Sequence, residues 1–418
     1  MQQFLRFGFF VTFVTLLLGA SFTTVIRALW SGRFDAPSAR WRLRLSAAAL
    51  VAMTVAIEVL SRKYAPTGGG IARIPVAIER GLTFMLWIAG TLIGVRNLLV
   101  RIADRIFARW AARAMNESVI APAPAPSESP AAVLGSPSRR EALFHGSGIA
   151  IASTTVAVCG YAGLRVAGEL RVRDAEVYIP DLPPEFEGLT LVQLTDIHVG
   201  IFTGARDFAR VIERTNALRG DLVVLTGDLL DNNPDHVPDA MRLFGQLRGR
   251  QGKYAILGNH DYYAGYRLVL DGLPRVGITP LVNEGIAIPG GRGRGALSLL
   301  GVDDVYASRM EPGRGPDLAR AIRSVAPEGP RILLAHNPTY FGTAAGNIAL
   351  QLSGHTHGGQ FNPANVLGIG MKYVSGRYEA RGSTLFVSNG IGITGPPMRL
   401  GAVPEIVRIG LTGRRRSG

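Results

Sequence analysis

The chain has 418 residues, 47% of them hydrophobic, and a formal net charge of +14, long enough for more than one folded unit. Its mean hydropathy is positive, which a purely soluble protein rarely shows. The single cysteine, Cys159, excludes an internal disulfide framework and a thiolate metal cluster.

The positive charge is unevenly placed. Residues 1–184 hold 20 Lys+Arg against 11 Asp+Glu, and residues 185–418 hold 25 against 20. Excess charge among apolar stretches points to membrane topology signals, and no nucleic-acid binding is expected. Residues 7–26 carry no charge and are long enough to span a bilayer as a helix. Two further apolar stretches, 45–60 and 81–100, are read as spans, with Arg96 placed to snorkel. Together they predict a membrane domain over 1–115. A Pro/Ala/Ser-rich linker follows within 116–145, containing APAPAPSESPAAVLGSPS. A fourth span is expected over 146–167. Arg139 and Arg140 before it read either as an internal twin-arginine export signal or as two ordinary cytoplasmic arginines. Both readings place the following domain outside the cytoplasm of a multi-pass inner-membrane protein, because the loop 101–146 holds six arginines.

From about residue 185 the pattern becomes globular α/β. LTLVQLTD, DLVVLTGD, GKYAILGNHD, RILLAHNP, IALQLSGH and STLFVSNG read as short buried strands bounded by turn residues. Between the first two, Phe208, Val211, Ile212 and Leu218 suit an amphipathic helix ended by Gly220. Further helices are expected around 238–248 and 316–325.

The polar chemistry gathers at the carboxyl ends of these strands: Asp196 and His198, Asp228, Asn259 and His260, His336, then His355 and His357. Five of the seven histidines fall there, where α/β sheets present ligands. Imidazole, carboxylate and amide oxygen without sulfur suit Mn, Fe or Zn. Seven residues offering eight contacts predict two divalent metal ions sharing one carboxylate. Such a pair would supply hydroxide near neutral pH and neutralise phosphoryl oxygens, as in-line hydrolysis of a phosphate ester or anhydride requires. The i, i+2 spacing of His355 and His357 is expected to set both rings on one side of an extended segment.

DIH, GDLLD, GNHD, AHNP and GHTHGGQ, in this order, resemble the five motifs of the calcineurin-like metallophosphoesterases over roughly residues 185–412. YVSG (373–376), VSNGIG (387–392) and PEI (404–406) are similar to a bacterial membrane-associated branch. That branch includes twin-arginine-exported phosphodiesterases and UDP-2,3-diacylglucosamine pyrophosphohydrolases. The resemblance implies an α/β fold in which N-terminal transmembrane helices precede a β-sandwich of two mixed sheets flanked by helices. It also implies that Asp196, His198, Asp228 and His357 hold one metal and Asp228, Asn259, His336 and His355 the other. His260 would protonate the leaving oxygen or steady the transition state, with Asp261 orienting its imidazole. Asp231 is read as support for Asn259 or as a solvated turn, and Arg377 and Arg399 as candidates for a substrate phosphate. The expected substrate is a phosphodiester or pyrophosphate, lipid-linked and met at the membrane. A soluble extracytoplasmic nucleotide or phosphodiester is the alternative, and a non-catalytic metal- or phosphate-binding sensor is the alternative of another class.

Overall fold

The computed structural model describes residues 21–26, 41, 46–48, 73–117, 139–166, 170–200, 202–290, 296–360 and 371–414. The chain divides into two compact units, residues 1–58 with 79–160, and residues 59–78 with 161–418.

The first unit is built on α1 (Arg73–Glu117) and most of α2 (Arg139–Val166). Within them Arg80–Trp110 and His145–Leu164 are long and apolar enough to cross a bilayer, judged by length and composition. Their large apolar side chains face outward, among them Trp87, Leu98, Leu99, Phe107 and Trp110. This inverts the arrangement of a soluble amphipathic helix. Val25, Ala89, Ile93 and Ile151 cluster, and small residues let the backbones approach closely beside them, since a Cβ on Gly90 would lie 2.6 Å from the Ser21 backbone. Arg96, expected to snorkel, donates from Nη1 to Ser147 Oγ at 2.8 Å, near the start of the second apolar stretch. The predicted spans 7–26 and 45–60 fall mostly outside the described residues, as does the linker stretch 121–138.

The second unit is a sandwich of two six-stranded mixed sheets. The first sheet contains β1 (Arg171–Tyr178), β2 (Thr190–Leu194), β3 (Leu222–Thr226), β4 (Gly252–Ile256), β5 (Thr279–Pro280) and β12 (Glu405–Thr412), in the order β1-β12-β2-β3-β4-β5. The second contains β6 (Glu284–Ile288), β7 (Leu297–Gly301), β8 (Arg331–Leu334), β9 (Leu350–Ser353), β10 (Gly376–Ala380) and β11 (Ser383–Val387), in the order β10-β11-β9-β8-β7-β6. Leu191, Leu222, Val224 and Ile256 of one sheet meet Leu297, Leu299, Ile332, Leu350 and Phe386 of the other to form the inner core. On the outer face of the first sheet, α3 (Ala205–Ala217) and α4 (Val237–Phe244) set Phe208 edge-on to Phe244, with ring centroids 5.5 Å apart. The second sheet carries a smaller outer core around Leu300, Leu318, Ala321 and Leu333. The expected α/β class with two mixed, helix-flanked sheets is the observed one.

Strand direction creates the site. β2, β3 and β4 run parallel, as do β7, β8, β9 and β11. Gln193 near the end of β2 donates across the sandwich to Ser353 O at the end of β9, at 3.0 Å. The carboxyl ends of both parallel sets therefore share one edge. The continuous apolar runs that mark parallel strands in the sequence are buried on both faces, as in β3 (LVVLT) and β7 (LSLLG). β1 has the pattern RVRDAEVY, half-exposed and charged, and carries no such mark. It pairs in parallel with β12 from Arg171↔Glu405 to Tyr178↔Thr412, and β12 in turn pairs with β2.

Phe208 is fully buried in the outer core of the first sheet. Phe208→Ala should lower the stability of the second unit by about 3–5 kcal/mol, read as a downward shift of the urea midpoint of the full chain in detergent.

Candidate metal centre

Each strand end turns sharply into the site. Asp196, His198, Asp228, His355 and His357 all have left-handed backbone, with φ of 49°, 47°, 51°, 71° and 50°. Left-handed backbone is unfavourable for residues with a Cβ, and Asp, Asn and His tolerate it best. GHTHGGQ is thus not an extended segment. His355 and His357 flank a right-handed Thr356, whose hydroxyl donates to Val374 O at 2.5 Å. The two rings still part to different partners, because two reversals in three residues turn them around the Thr356 pivot.

Backbone bonds hold the loops side by side. Asp196 N donates to Gly227 O at 3.1 Å, His198 N to Asp228 O at 3.1 Å, and Gly354 N to His336 O at 3.0 Å. Two glycines make room for the carboxylates. A Cβ on Gly354 would lie 2.1 Å from Asp196 Oδ2, and one on Gly258 would lie 2.2 Å from Asp228 Oδ1. Only hydrogen fits at either place.

Two groups of side chains result, each with ligand atoms within 4.8 Å of one another: Asp196, His198 and His357, then Asp228, His336 and His355. Asp228 Oδ2 lies 3.2 Å from His336 Nε2 and 3.6 Å from His198 Nε2, so one carboxylate oxygen faces both groups. His198 Nε2 lies 3.1 Å from His357 Nε2, and His357 Nε2 lies 3.4 Å from Asp196 Oδ1. His336 Nδ1 donates to Thr226 O at 2.9 Å, which turns Nε2 toward the carboxylates. His336 Nε2 is buried with only the facing Asp228 carboxylate beside it, and Asn259 Oδ1 is buried with no hydrogen-bond partner. Imidazole nitrogens and an unpartnered amide oxygen converging beside buried carboxylates are what a divalent cation requires, and the donor set fits one.

The charges follow from burial. Burial, reinforced by neighbouring positive charge, holds His198 down to about 3 and His355 down to about 4, and keeps His357 well below the ordinary imidazole range. Burial lifts Asp196 to about 6. At His336 burial opposes the charge, but the Asp228 carboxylate outweighs it and raises the imidazole well above its usual value. Reciprocally, His336 overcomes the burial of Asp228 and holds that carboxyl well below its usual range.

The remaining predicted residues separate by position. The His260 ring packs edge-on to His198, centroids 4.6 Å apart, and its backbone N–H donates to Asp228 Oδ1 at 2.8 Å. Asp261, expected to orient that ring, is fully buried and accepts from three backbone donors: Leu229 N (2.9 Å), Leu230 N (3.1 Å) and Gly258 N (2.8 Å). It clamps the GDLLD loop to the GNHD loop. The carboxylate grouped with the His198 and His260 rings is that of Asp231. Arg377 pairs with Glu379 at 2.6 Å on the exposed face of β10, and Arg399 is buried against His357.

A sixth strand end escaped the sequence reading. β7 runs into Asp303 and Asp304, both buried. Asp303 accepts from Tyr262 Oη at 2.5 Å and pairs with Arg314 at 2.9 Å. Asp304 sits within electrostatic reach of His336 and Asp228, and burial lifts it to about 6. The signal was present in LSLLGVDD, which has the same run-then-acid form as LTLVQLTD but no histidine.

A family model for calcineurin-like phosphoesterase matches residues 189–359. A transmembrane protein with metallophosphoesterase domain from Danio rerio is 36% identical over 263 residues, covering 61% of this chain and 60% of that protein. Metallophosphoesterases described as uncharacterized are similar too. The one from Aquifex aeolicus is 31% identical over 249 residues, covering 59% of this chain and 93% of that protein. The one from Bacillus subtilis is 30% identical over 280 residues, covering 64% and 96%. The chain belongs to the calcineurin-like metallophosphoesterase family. The match spans only about three fifths of the Danio rerio relative and of a similarly named Bos taurus protein.

A cation arriving beside Asp228 must displace the proton that Asp228 holds on His336. Because that proton leaves only above the ordinary imidazole range, Mn²⁺ affinity should rise with pH from 6 to 8, by up to about tenfold per unit. Calorimetric titrations at pH 6, 7 and 8 check this, and a flat profile would show that no such proton is displaced.

Proposed function

We propose that this chain is a membrane-anchored phosphoesterase with a binuclear metal centre, acting on a phosphodiester or pyrophosphate of a lipid-like molecule. The observation that carries the reading is Asp228 Oδ2, placed between two groups of imidazole and carboxylate donors. Asp196, His198, Asp228 and His357 would hold one divalent ion, and Asp228, Asn259, His336 and His355 the other. Bound there, the ions supply hydroxide at neutral pH and screen the phosphoryl charge.

The chain's own groups do the rest. His260, whose ring packs edge-on to His198, donates a proton to the leaving oxygen, with the Asp231 carboxylate grouped beside it. Asp261 fixes the loops that carry Asp228 and His260. Left-handed backbone and close glycine contacts keep the carboxylates aimed before any substrate arrives.

Membrane anchoring is supported by the two apolar helices and by relatives described as transmembrane proteins. The proposed organisation is the membrane domain 1–115, the linker within 116–145, the span 146–167 and the catalytic domain 185–412. The arginines of 101–146 favour a cytoplasmic linker and an exported catalytic domain, through a twin-arginine signal or through charge bias alone. GHTHGGQ, YVSG, VSNGIG and PEI favour the branch that includes UDP-2,3-diacylglucosamine pyrophosphohydrolases. An enzyme anchored in this way meets lipid phosphates at high local concentration.

Full-length protein in detergent with Mn²⁺ should hydrolyse bis-p-nitrophenyl phosphate and lose that activity with EDTA. Asp228→Asn should cost at least about a thousandfold, and His260→Ala about 10²–10⁴-fold while Mn²⁺ binding persists. Activity retained in Asp228→Asn would sink the assignment. Release of phosphorylated headgroups from lipid extract, compared with hydrolysis of soluble nucleotides, separates the two substrate classes. A reporter fused to the carboxy terminus should be active only outside the cytoplasm, and a cytoplasmic signal would overturn the exported orientation.

A further inference from the structure

The last turn of α2, residues 161–166, belongs to the second unit. Ala162 in that turn is fully buried, and its carbonyl accepts from Arg399 N at 3.2 Å. Arg399 lies in the loop between β11 and β12. In the same turn of α2, a Cβ on Gly163 would lie 3.7 Å from Pro397 O of that loop. The loop also touches the metal centre, where Gly392 N donates to Asp196 O at 2.7 Å and Ile391 N to Thr195 O at 3.1 Å. One short segment therefore bonds both the end of an apolar helix and the first motif.

Helix length sets the level of that end. The apolar stretch His145–Leu164 has 20 residues. At about 1.5 Å per residue it covers about 30 Å, the thickness of a bilayer's hydrocarbon core. Ala162 stands two residues before Leu164, so across a bilayer the loop would meet the helix about 3 Å inside the hydrocarbon boundary. Two features suit the loop to that level. The surface there is apolar: Leu400 is 38% exposed, and Tyr161 and Leu164 on the helix end are 55% and 79% exposed. These are three of the six large exposed hydrophobics among the described residues from 161 onward. The loop's backbone is also bonded inside the protein. The Gln360 amide donates to Thr394 O at 2.8 Å and Pro396 O at 3.0 Å, and Leu400 N donates to Gln360 O at 2.8 Å. Internal satisfaction of backbone groups is what entry into lipid demands.

We infer that residues 392–400 rest on the bilayer surface at the carboxyl end of α2, with Leu400 against lipid. The occupant of this patch is a lipid surface because the helix bonded to it is itself the apolar span. The inference rests on the membrane-anchored reading and deepens it. With the loop at the interface, the metal centre lies one loop away from the headgroups, and a lipid phosphate reaches it without leaving the membrane.

Spin labelling of the full-length chain in phosphatidylcholine/phosphatidylglycerol nanodiscs tests this, in a Cys159→Ala background. Labels are introduced through Val156→Cys within the span, Leu400→Cys in the loop and Glu328→Cys. Glu328 is exposed just before β8, at the edge of the sandwich away from the metal centre. The ratio of accessibility to oxygen over that to a water-soluble nickel chelate should be several-fold higher at Val156→Cys and Leu400→Cys than at Glu328→Cys. A Leu400→Cys label as open to nickel as the Glu328→Cys label would overturn the inference. Dipolar broadening between Leu400→Cys labels would also overturn it, by assigning the patch to a second copy of the chain. A water-exposed label at Val156→Cys would instead overturn the membrane-anchored reading itself. Retained Mn²⁺-dependent hydrolysis of bis-p-nitrophenyl phosphate verifies the fold of each variant. If Leu400→Cys fails that check, Pro397→Cys carries the same comparison.

Discussion

The burial of Asp228 is the constraint around which the second unit is organised. A carboxylate 2% exposed is tolerable only if positive charge and donors surround it. His336, His198 and the His260 N–H supply them from three different loops. Bringing those loops to one point requires parallel strands whose carboxyl ends share an edge. It also requires Gly258 to lack a side chain, since a Cβ there would collide with the carboxylate. The second buried acid, Asp196, repeats the logic, with Gly354 giving way and His355 N donating to both oxygens at 2.9 and 3.0 Å.

Two acids so close are not equivalent. Asp228 is held charged by His336, whereas burial lifts Asp196 toward neutrality. The near side of the centre is therefore an ion pair and the far side a more neutral cluster of Asp196, His198 and His357, with Arg399 behind.

Much of this was legible in the sequence because parallel buried strands leave continuous apolar runs, and because chemistry at their ends falls at fixed offsets. The runs at 190–194, 222–226, 252–256, 331–334 and 350–353 each led to a residue that the structure brings into the centre. What was hidden is what depends on contacts far apart in the chain. β1 shows no apolar run, because its partner supplies only one side of its burial. Asp231 and Asp261 are both acids near a histidine in sequence or motif, and only the path of the backbone shows that Asp261 is consumed by three N–H groups while Asp231 faces the ring. Arg399 carried no signal of burial, since arginine in a glycine- and proline-rich stretch ordinarily reads as exposed. The left-handed turns at the histidines were equally invisible, being properties of the whole loop cluster.

The pairing of β1 with β12 also sets a timetable. Asp174 and Arg408, joined across these strands, lie 234 residues apart, and β12 is what connects β1 to the rest of the first sheet. At a synthesis rate of about 5–20 residues per second, the first strand waits on the order of 10–50 s for its partner to be made. Until then β2 has an open edge, and the loop that carries Arg399 lacks Glu405, whose carboxylate accepts from Asn389 N at 3.0 Å and whose N–H donates to Gly390 O at 3.0 Å. The ribosome must therefore finish nearly the whole domain before the first sheet can close, and a nascent chain stalled short of residue 405 would expose the kind of unpaired strand on which aggregation begins.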